Sequence, residues 1–499
     1  MEKMEKIFGN IINGIEETGG ERIELKSPVD GSLIGYIIDT DKDTVERAIQ
    51  SSREAFNKFY LESTIKSRQE LIGKLTDIVQ EKATIYADLE SKNTGKTIRQ
   101  STFMDIPLAI SHIRYFAETD EFKFQRKITH PEYPGTEGIV QNAPMGVVAS
   151  IAPWNVPFLM AVWKIIPPVL AGNAVVIKPS HYTPLTAIEL VKDMKAAGFP
   201  DGLVNLVNGT GRTTGNLLVN SDHVDMVSFT GSTPTGSRIM EQAAKNIKKV
   251  SLELGGKSPN IVFADADLDH AVKGVIFGIF LNAGQLCESA SRLIIEESIM
   301  DKFLQKVKTY LDSMKSGNPM DFETDISAIT TKEQKEKIES LISQTVKSGG
   351  NIFYSKNMQG TPDKGTYFPP TLLTGLTPGQ QISDEEIFGP VLTVYPFKSE
   401  KEAIDLANST KYGLAAGIWT KDIEKAGRVA SMIEAGTVWV NEYHLLSAAA
   451  PRGGFKKSGI GRELGLEGIL EYTQTRHIFY GNNESGMSDV AYGILIKTE

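Results

Sequence analysis

Four short runs rich in β-branched residues, "VVASI" (147–151), "AVVIK" (174–178), "LVNLV" (203–207) and "MVSF" (226–229), are separated by amphipathic segments. This alternation constrains the chain more than any other feature. Strands that return after a helical connection form right-handed βαβ crossovers, and so a parallel sheet of the nucleotide-binding type. A second series follows Cys287: "SRLIIEE" with a helix to about residue 315, "GGNIFYS", "VLTVYPF" with a helix over 400–409, "AAGIWT" and "GTVWVNE". It predicts a second α/β domain. Upstream, Leu71, Ile72, Leu75, Ile78 and Val79 recur at three- and four-residue spacing, and residues 44–118 read mostly helical. The helix-poor stretch 123–144, "KFQRKITHPEYPGTEGIVQNAP", alternates polar with apolar residues and is expected to form a protruding hairpin.

A chain of 499 residues is too long for one core, and two or three packed units are expected. Its 53 Lys+Arg against 62 Asp+Glu give a net charge of -9, which disfavours nucleic acid or an anionic membrane as partner and favours a small molecule. The single cysteine excludes an internal disulfide and a cysteine-based metal cluster, and no metal site is expected. The opening "MEKMEKIFGNIING" shows no signal peptide, and apolar runs such as "GVIFGIFL" are about half the length a bilayer-spanning helix needs. A cytoplasmic enzyme is expected.

Two glycine-rich loops follow strands. "GTGRTTG" (209–215) has the spacing GxGxxxG and is a poor dinucleotide fingerprint. In "FTGSTPTG" (229–236) Pro234 suits a first helical turn, and Gly231 and Ser232 can present N–H groups to a phosphate there. A plain strand-to-helix turn explains either loop as well. Lys178 stands at a strand's carboxyl end, where ligands of open parallel sheets bind, although a solvated lysine fits the same string.

Cys287 lies beyond an apolar run, among Asn282, Gly284 and Gln285, a polar setting that favours a reactive thiol over a packed one. An unperturbed thiol is only a few per cent thiolate at neutral pH, so a nucleophile here needs a base and oxyanion donors. Glu253 in "VSLELGGKSPNIVF" is a candidate base if desolvated, or else a carboxylate turned outward on a strand. Asn155, between the prolines of "PWNVP", can donate its amide to an oxyanion.

Together the strings "PWNVP", "VVIKPS", "FTGSTPTG", "LELGGKSPNIVF", "NAGQLC", "EEIFGPV", "TVWVNEY" and "GGFKKSGIGRELG" resemble, in order, those of the aldehyde dehydrogenase superfamily, specifically its hydrolytic, non-phosphorylating members. The likeness runs from "INGIEE" and "SPVDG" to "GRELGLEGILEYTQTR". It implies an α/β fold with a Rossmann-like cofactor domain (1–122 and 145–254), a second α/β catalytic domain (255–456) and a small β oligomerisation element (123–144 and 470–486) in a homodimer or homotetramer. The implied reaction is NAD(P)-dependent oxidation of an aldehyde to a carboxylic acid through a thiohemiacetal and a thioester. Cys287 is the implied nucleophile, Glu253 the base, and Asn155 with the Cys287 N–H the oxyanion hole. Coenzyme-A-acylating relatives lack a carboxylate where Glu253 stands, so its presence implies hydrolysis.

For the cofactor, the resemblance places Lys178 on the adenosine ribose beside Ser180 and His181, Gly211 near the adenine, and Gly231 and Ser232 at the pyrophosphate. Ile151, Pro153, Trp154, Phe229 and Leu254 line the same groove, and Glu386 and Phe388 hold the nicotinamide ribose and ring. His181 departs from NAD-selective members, which carry Glu there. An imidazole does not repel a 2′-phosphate and attracts it when protonated, so NADP is expected to be tolerated beside NAD.

The substrate side departs further. Arg452 of "PRGG" stands where relatives show an aromatic residue, Glu288 directly follows the nucleophile, and Glu442 follows Asn441 where a small residue is common. Either Arg452 clamps a substrate carboxylate, which implies a semialdehyde, or it pairs with Glu442 or Glu288 and closes the channel. Met160, Trp163 and Leu286 supply an apolar wall. Two rivals stand beside this reading: a cysteine-dependent esterase or acyltransferase without hydride transfer, and a non-catalytic protein retaining the fold. The closing residues "ESGMSDVAYGILIKTE" lie beyond the recognisable motifs.

Overall fold

The structure is a computed structural model and describes residues 6–481 and 492–496. The closing residues 484–491 and 497–499, and the end of the 470–486 segment, lie outside the described residues. Every strand expected between Val147 and Thr230 is present: Val147–Ile151, Ala174–Lys178, Val204–Leu206 and Met226–Thr230. All positions of these four are buried, which fits a parallel sheet covered on both faces. They form the centre of an eight-stranded sheet, joined by Lys249–Glu253 on one flank and by two antiparallel N-terminal strands, Asn10–Ile12 and Ile15–Glu17, on the other.

The second series also forms as expected. Arg292–Glu296, Val391–Phe397, Ala415–Trp419 and Thr437–Val440 belong to a seven-stranded sheet, with Asn351–Ser355 antiparallel at one edge. Two of its strands, Pro259–Val262 and Thr371–Thr374, are short enough that patterning does not single them out. Residues 44–118 are helical as read, in Lys42–Glu62, Ile65–Glu81, Ala83–Thr94 and Ile106–Glu118. The stretch 123–144 forms the hairpin Gln125–Thr129/Glu137–Pro144, and the tail strand Thr473–Tyr480 pairs along its whole length with the second arm. Among the described residues no helix is long and apolar enough to cross a membrane.

One helix ties the first sheet to the site. Pro157–Ala171 is buried at every position, begins with a proline that needs no N–H partner, and ends on Gly172 in the left-handed region. Its Lys164 is wholly buried; the ammonium donates to Ser228 Oγ at 3.0 Å and pairs with Glu463. Helix, sheet and C-terminal segment therefore meet at one ion pair. Removing one member of a buried pair strands the other charge, at a cost of about 3–5 kcal/mol. Lys164→Met should lower the melting midpoint measurably, and the double variant Lys164→Met/Glu463→Leu should recover part of that loss in the same thermal scan.

Candidate active site

The loop that carries Cys287 begins where the helix Leu268–Phe280 stops. Asn282 and Ala283 take left-handed backbone conformations with φ of 49° and 51°, and Gly284 follows at φ 70°. A side chain at Gly284 would run into the carbonyl of Gly389, so the turn requires glycine there. It delivers Cys287, partly exposed, to a narrow cavity of about 40 Å³, little more than the ~30 Å³ share of one water. Glu253, Glu288, Arg452, Met160, Trp163 and Leu286 line the same space, so the structure brings five of the six substrate-side candidates around the thiol.

Glu253 ends the strand Lys249–Glu253 and is held on both flanks, opposite Thr230 in the parallel ladder and Gly459 in an antiparallel one. The carboxylate is 4 % exposed and neither oxygen has a hydrogen-bond partner. Burial raises its pKa to about 7, against the lowering influence of Arg452. The outward-turned alternative is excluded by this burial. Burial and the neighbouring Glu253 push the Cys287 thiol up as well, opposed by Arg452.

Arg452 is the hub of the pocket floor. Its Nη2 donates to Cys287 Sγ at 3.0 Å, pairs with Glu288 and lies 3.6 Å from Glu253, while the guanidinium sits 5.4 Å over the Trp163 ring. Its Nε is buried without a partner. Burial alone would raise the Glu288 pKa; the Arg452 charge and the His444 hydrogen bond override it and hold that carboxyl well below the ordinary range. His444 Nδ1 lies 3.2 Å from Glu288 Oε1 and its Nε2 lies 3.0 Å from the Gly278 carbonyl. Patterning missed His444, and one histidine among seven carries no local signal.

Glu442 does not belong here. The Asn441 side chain bonds both the N–H and the carbonyl of Thr420, and with φ 55° at Asn441 the turn leaves Glu442 exposed, 3.9 Å from His270. Arg452 accordingly pairs with Glu288 and not with Glu442.

Asn155 is buried, and its Nδ2 spends one hydrogen on the Gln285 carbonyl at 2.8 Å, leaving a second. Trp154 meets Phe388 edge-on at 5.2 Å. Glu386 accepts from the Gly256 N–H at 3.1 Å, and burial lifts its pKa to about 7 against that bond. A Cβ at Gly255 would meet the Glu386 carboxylate, so a larger residue there would displace this side chain.

Beyond the carboxyl ends of the first sheet lies a cavity of about 600 Å³ walled by Ile151, His181, Gly211 and Phe229. The poor fingerprint loop thus serves as a wall. Lys178 is buried, not solvated; its Nζ donates to the carbonyls of Pro179 and Gly209 at 2.9 and 3.0 Å. Burial brings its pKa down to about 8. Ser180 accepts from the Tyr182 N–H, Pro153 sits in the turn after Val147–Ile151, and Leu254 N–H donates to the Ser458 carbonyl. One expectation fails at the second loop. The Gly231 N–H donates to the Glu253 carbonyl at 3.0 Å, extending the sheet ladder, and is not free for a phosphate; Ser232 stands exposed at the N-cap position of the helix Thr233–Ala244, its hydroxyl 2.9 Å from that of Thr235. His181 is corrected too: burial, then Lys178, lowers its pKa to about 4, so it is neutral near pH 7 and does not attract a phosphate by charge. This size, position and donor set suit an adenine nucleotide.

The aldehyde dehydrogenase family model matches residues 15–478. The chain is 40% identical over 482 residues to an aldehyde dehydrogenase of Emericella nidulans, covering 96% of each protein. It is 39% identical over 470 residues to a betaine aldehyde dehydrogenase of Bacillus subtilis, covering 93% of this chain and 96% of the other. A crystal structure of a betaine aldehyde dehydrogenase from Staphylococcus aureus in complex with NAD+ superimposes with a TM-score of 0.92 at 38% identity, over 95% of each chain. The chain belongs to the aldehyde dehydrogenase family. It is an enzyme, and its reaction is the oxidation of an aldehyde.

Glu253 and Glu386 bear on stability. A carboxyl whose folded pKa exceeds its unfolded value contributes stability that is fully present below the unfolded pKa and lost as pH rises through the folded one. With both near 7 against 4.5 in the unfolded chain, that loss falls between about pH 4.5 and 7. Glu386→Gln should therefore gain in melting midpoint relative to wild type as pH rises from 4.5 to 8, in paired thermal scans.

Proposed function

We propose that Cys287, Glu253 and Asn155 carry out a two-stage oxidation with hydrolytic release. The observation that supports it best is the narrow cavity shared by Cys287 and Glu253, with the carboxylate buried and desolvated beside the thiol. The cofactor would be held by Lys178, Ser180 and Ser232 along the groove and by Glu386 and Phe388 at its reactive end. NAD, when bound, supplies the hydride acceptor. The Cys287 thiol releases its proton to solvent, the thiolate being faced by the Arg452 guanidinium; the sulfur then adds to the aldehyde carbon, and the free hydrogen of Asn155 Nδ2 with the Cys287 N–H stabilises the alkoxide. Loss of hydride from that carbon leaves a thioester on Cys287. Glu253 then takes a proton from water, the hydroxide adds to the thioester, and the carboxylic acid leaves with the thiolate restored.

A base with a pKa of about 7 is matched to neutral pH, because it is substantially ionised there and still basic enough to accept the proton. When hydrolysis limits turnover, kcat should fall as pH drops through about 7, since protonated Glu253 cannot accept a proton. Glu253→Gln should retain a stoichiometric burst of NADH while steady turnover drops by about 10²–10⁴. Cys287→Ser should lose both, and a Cys287→Ser enzyme with wild-type turnover at 340 nm would overturn the assignment.

The favoured substrate carries a carboxylate. Arg452 engages its neighbours through a single nitrogen, and its buried Nε has no partner, so part of the fork is left for an anion. Glu288, secured separately by His444, can release Arg452 without being stranded. A charged hydrogen bond lost at such a site costs about 1.5–3 kcal/mol, or roughly 10–100-fold. Arg452→Gln should lower kcat/KM for succinic semialdehyde by that factor more than for butanal, and an unchanged ratio would end the clamp.

NADP serves beside NAD, because His181 puts no negative charge at the ribose and Arg212 and Arg238 line the same cavity. NADP should support more than about one-hundredth of the NAD-linked kcat/KM, the two carboxylate-repulsion orders of magnitude being absent. The three-stranded sheet is the oligomerisation element of a homo-oligomer. Among the described residues both its outer strands present an unpaired edge, and Phe479 and Tyr480 stand exposed on one of them.

A further inference from the structure

The helix that begins at Ile98–Gln100 passes through a π-turn, Ser101–Asp105, before continuing as Ile106–Glu118. Such turns interrupt the regular ladder and are common where a side chain must be re-aimed. Here the turn lies over a buried ion cluster. Lys96, with no exposed surface, places its ammonium 3.1 Å from Glu90 Oε1 and 2.5 Å from Asp105 Oδ2. The other Glu90 oxygen accepts from the Phe158 N–H and the Thr186 hydroxyl, so the cluster is pinned to the start of the helix that carries Met160 and Trp163.

Gln100 joins this cluster to the nucleophile loop. Its Nε2 lies 3.4 Å from each Asp105 oxygen, and its Oε1 accepts from the Asn282 N–H at 3.2 Å. Asn282 is the first left-handed residue after the helix Leu268–Phe280, and the side-chain oxygen of Gln100 is the acceptor its N–H finds. From there the bonds close on the reacting groups. Asn282 Nδ2 donates to the Asn155 carbonyl at 3.0 Å, and Asn155 Nδ2 donates to the Gln285 carbonyl at 2.8 Å. Gln285 Nε2 returns to the Asn282 carbonyl at 2.8 Å. Asn155 and Cys287 thus take their relative placement from one ring of amides with Gln100 as its outer anchor.

We propose that Gln100 is a positioning residue for the reaction: fixed by Asp105, it holds the left-handed Asn282 turn and so sets the two oxyanion donors, the Asn155 amide and the Cys287 N–H, at their working separation. This rests on the oxyanion role assigned to Asn155 above. A donor displaced by about 1 Å can cost on the order of 10²-fold in rate, whereas the cofactor groove and the thiol itself are not part of the ring.

The test is a double-mutant cycle with Gln100→Leu and Asn155→Ala. Gln100→Leu should lower kcat about 10–100-fold. KM for NAD and the alkylation rate of Cys287 by iodoacetamide should stay near wild type, and a primary isotope effect on kcat with the deuterated aldehyde should appear or grow. On the Asn155→Ala background the same change should cost less than about 2-fold, since the groups coupled through the ring are already disabled. Equal losses on both backgrounds, or an unchanged kcat, would overturn the inference. Near-native kcat in Asn155→Ala alone would overturn the oxyanion assignment and this inference with it. Should Gln100→Leu melt well below wild type, Gln100→Met supplies the same loss of amide in a side chain that repacks more readily, and the cycle is read with it.

Discussion

The site is organised around a buried, desolvated carboxylate beside the thiol. Glu253 would shed its charge or turn outward if the backbone allowed it, since an unpartnered buried carboxylate is among the costliest groups a fold can keep. Two ladders prevent the turn: the strand Lys249–Glu253 is paired to Thr230 on one side and to Gly459 on the other, at the very residue concerned. The partial relief is Coulombic. Arg452 at 3.6 Å lowers the pKa that burial raises, and the balance near 7 is what a neutral-pH base requires. A hydrogen bond in place of that cation would stabilise the anion further and make a weaker base.

The same guanidinium faces three groups through one nitrogen: it donates to the Cys287 sulfur, pairs with Glu288 and lies 3.6 Å from Glu253. Glu288 draws it most strongly, and Glu288 is itself secured by His444 and, through its carbonyl, by the Tyr443 hydroxyl at 2.8 Å. Both anchors come from the loop after the strand Thr437–Val440, so the charge beside the nucleophile is set by a segment far from it in sequence. Replacing a buried partner without its mate leaves a charge uncompensated, and these four side chains therefore constrain one another more tightly than any one of them constrains the fold.

The strands, the helical start, the hairpin and the candidates Cys287, Glu253 and Asn155 were legible because each leaves a mark within a few residues: β-branched runs, three-and-four spacing, a lone thiol, a carboxylate beside two glycines, an asparagine between two prolines. Arg452 stood out only against the pattern of the family the chain resembles. Pro259–Val262 and Thr371–Thr374 escaped because four buried residues carry no readable period. Glu442 was misplaced because the direction of a side chain after a left-handed asparagine depends on what that asparagine bonds, here Thr420 in another strand's loop. Gly231 was misread for a similar reason: whether an N–H at a strand's end is free depends on how far the neighbouring strand continues. His444, Gln100 and Lys96 act through partners far along the chain or through a local π-turn, and neither relation has a sequence period.

The neutral His181 sharpens how cofactor choice works in this chain. With the cofactor placed as proposed, a carboxylate at that position would oppose a 2′-phosphate; an imidazole held near a pKa of about 4 by burial and by Lys178 contributes no charge of either sign. Discrimination then passes to whatever charges remain on the cavity rim, and Arg212 and Arg238 are both exposed there, where solvent screening weakens them. Attraction from screened arginines is modest and depends on salt, while the missing repulsion does not. It follows that tolerance of the phosphorylated cofactor should persist at high ionic strength even as any preference for it fades.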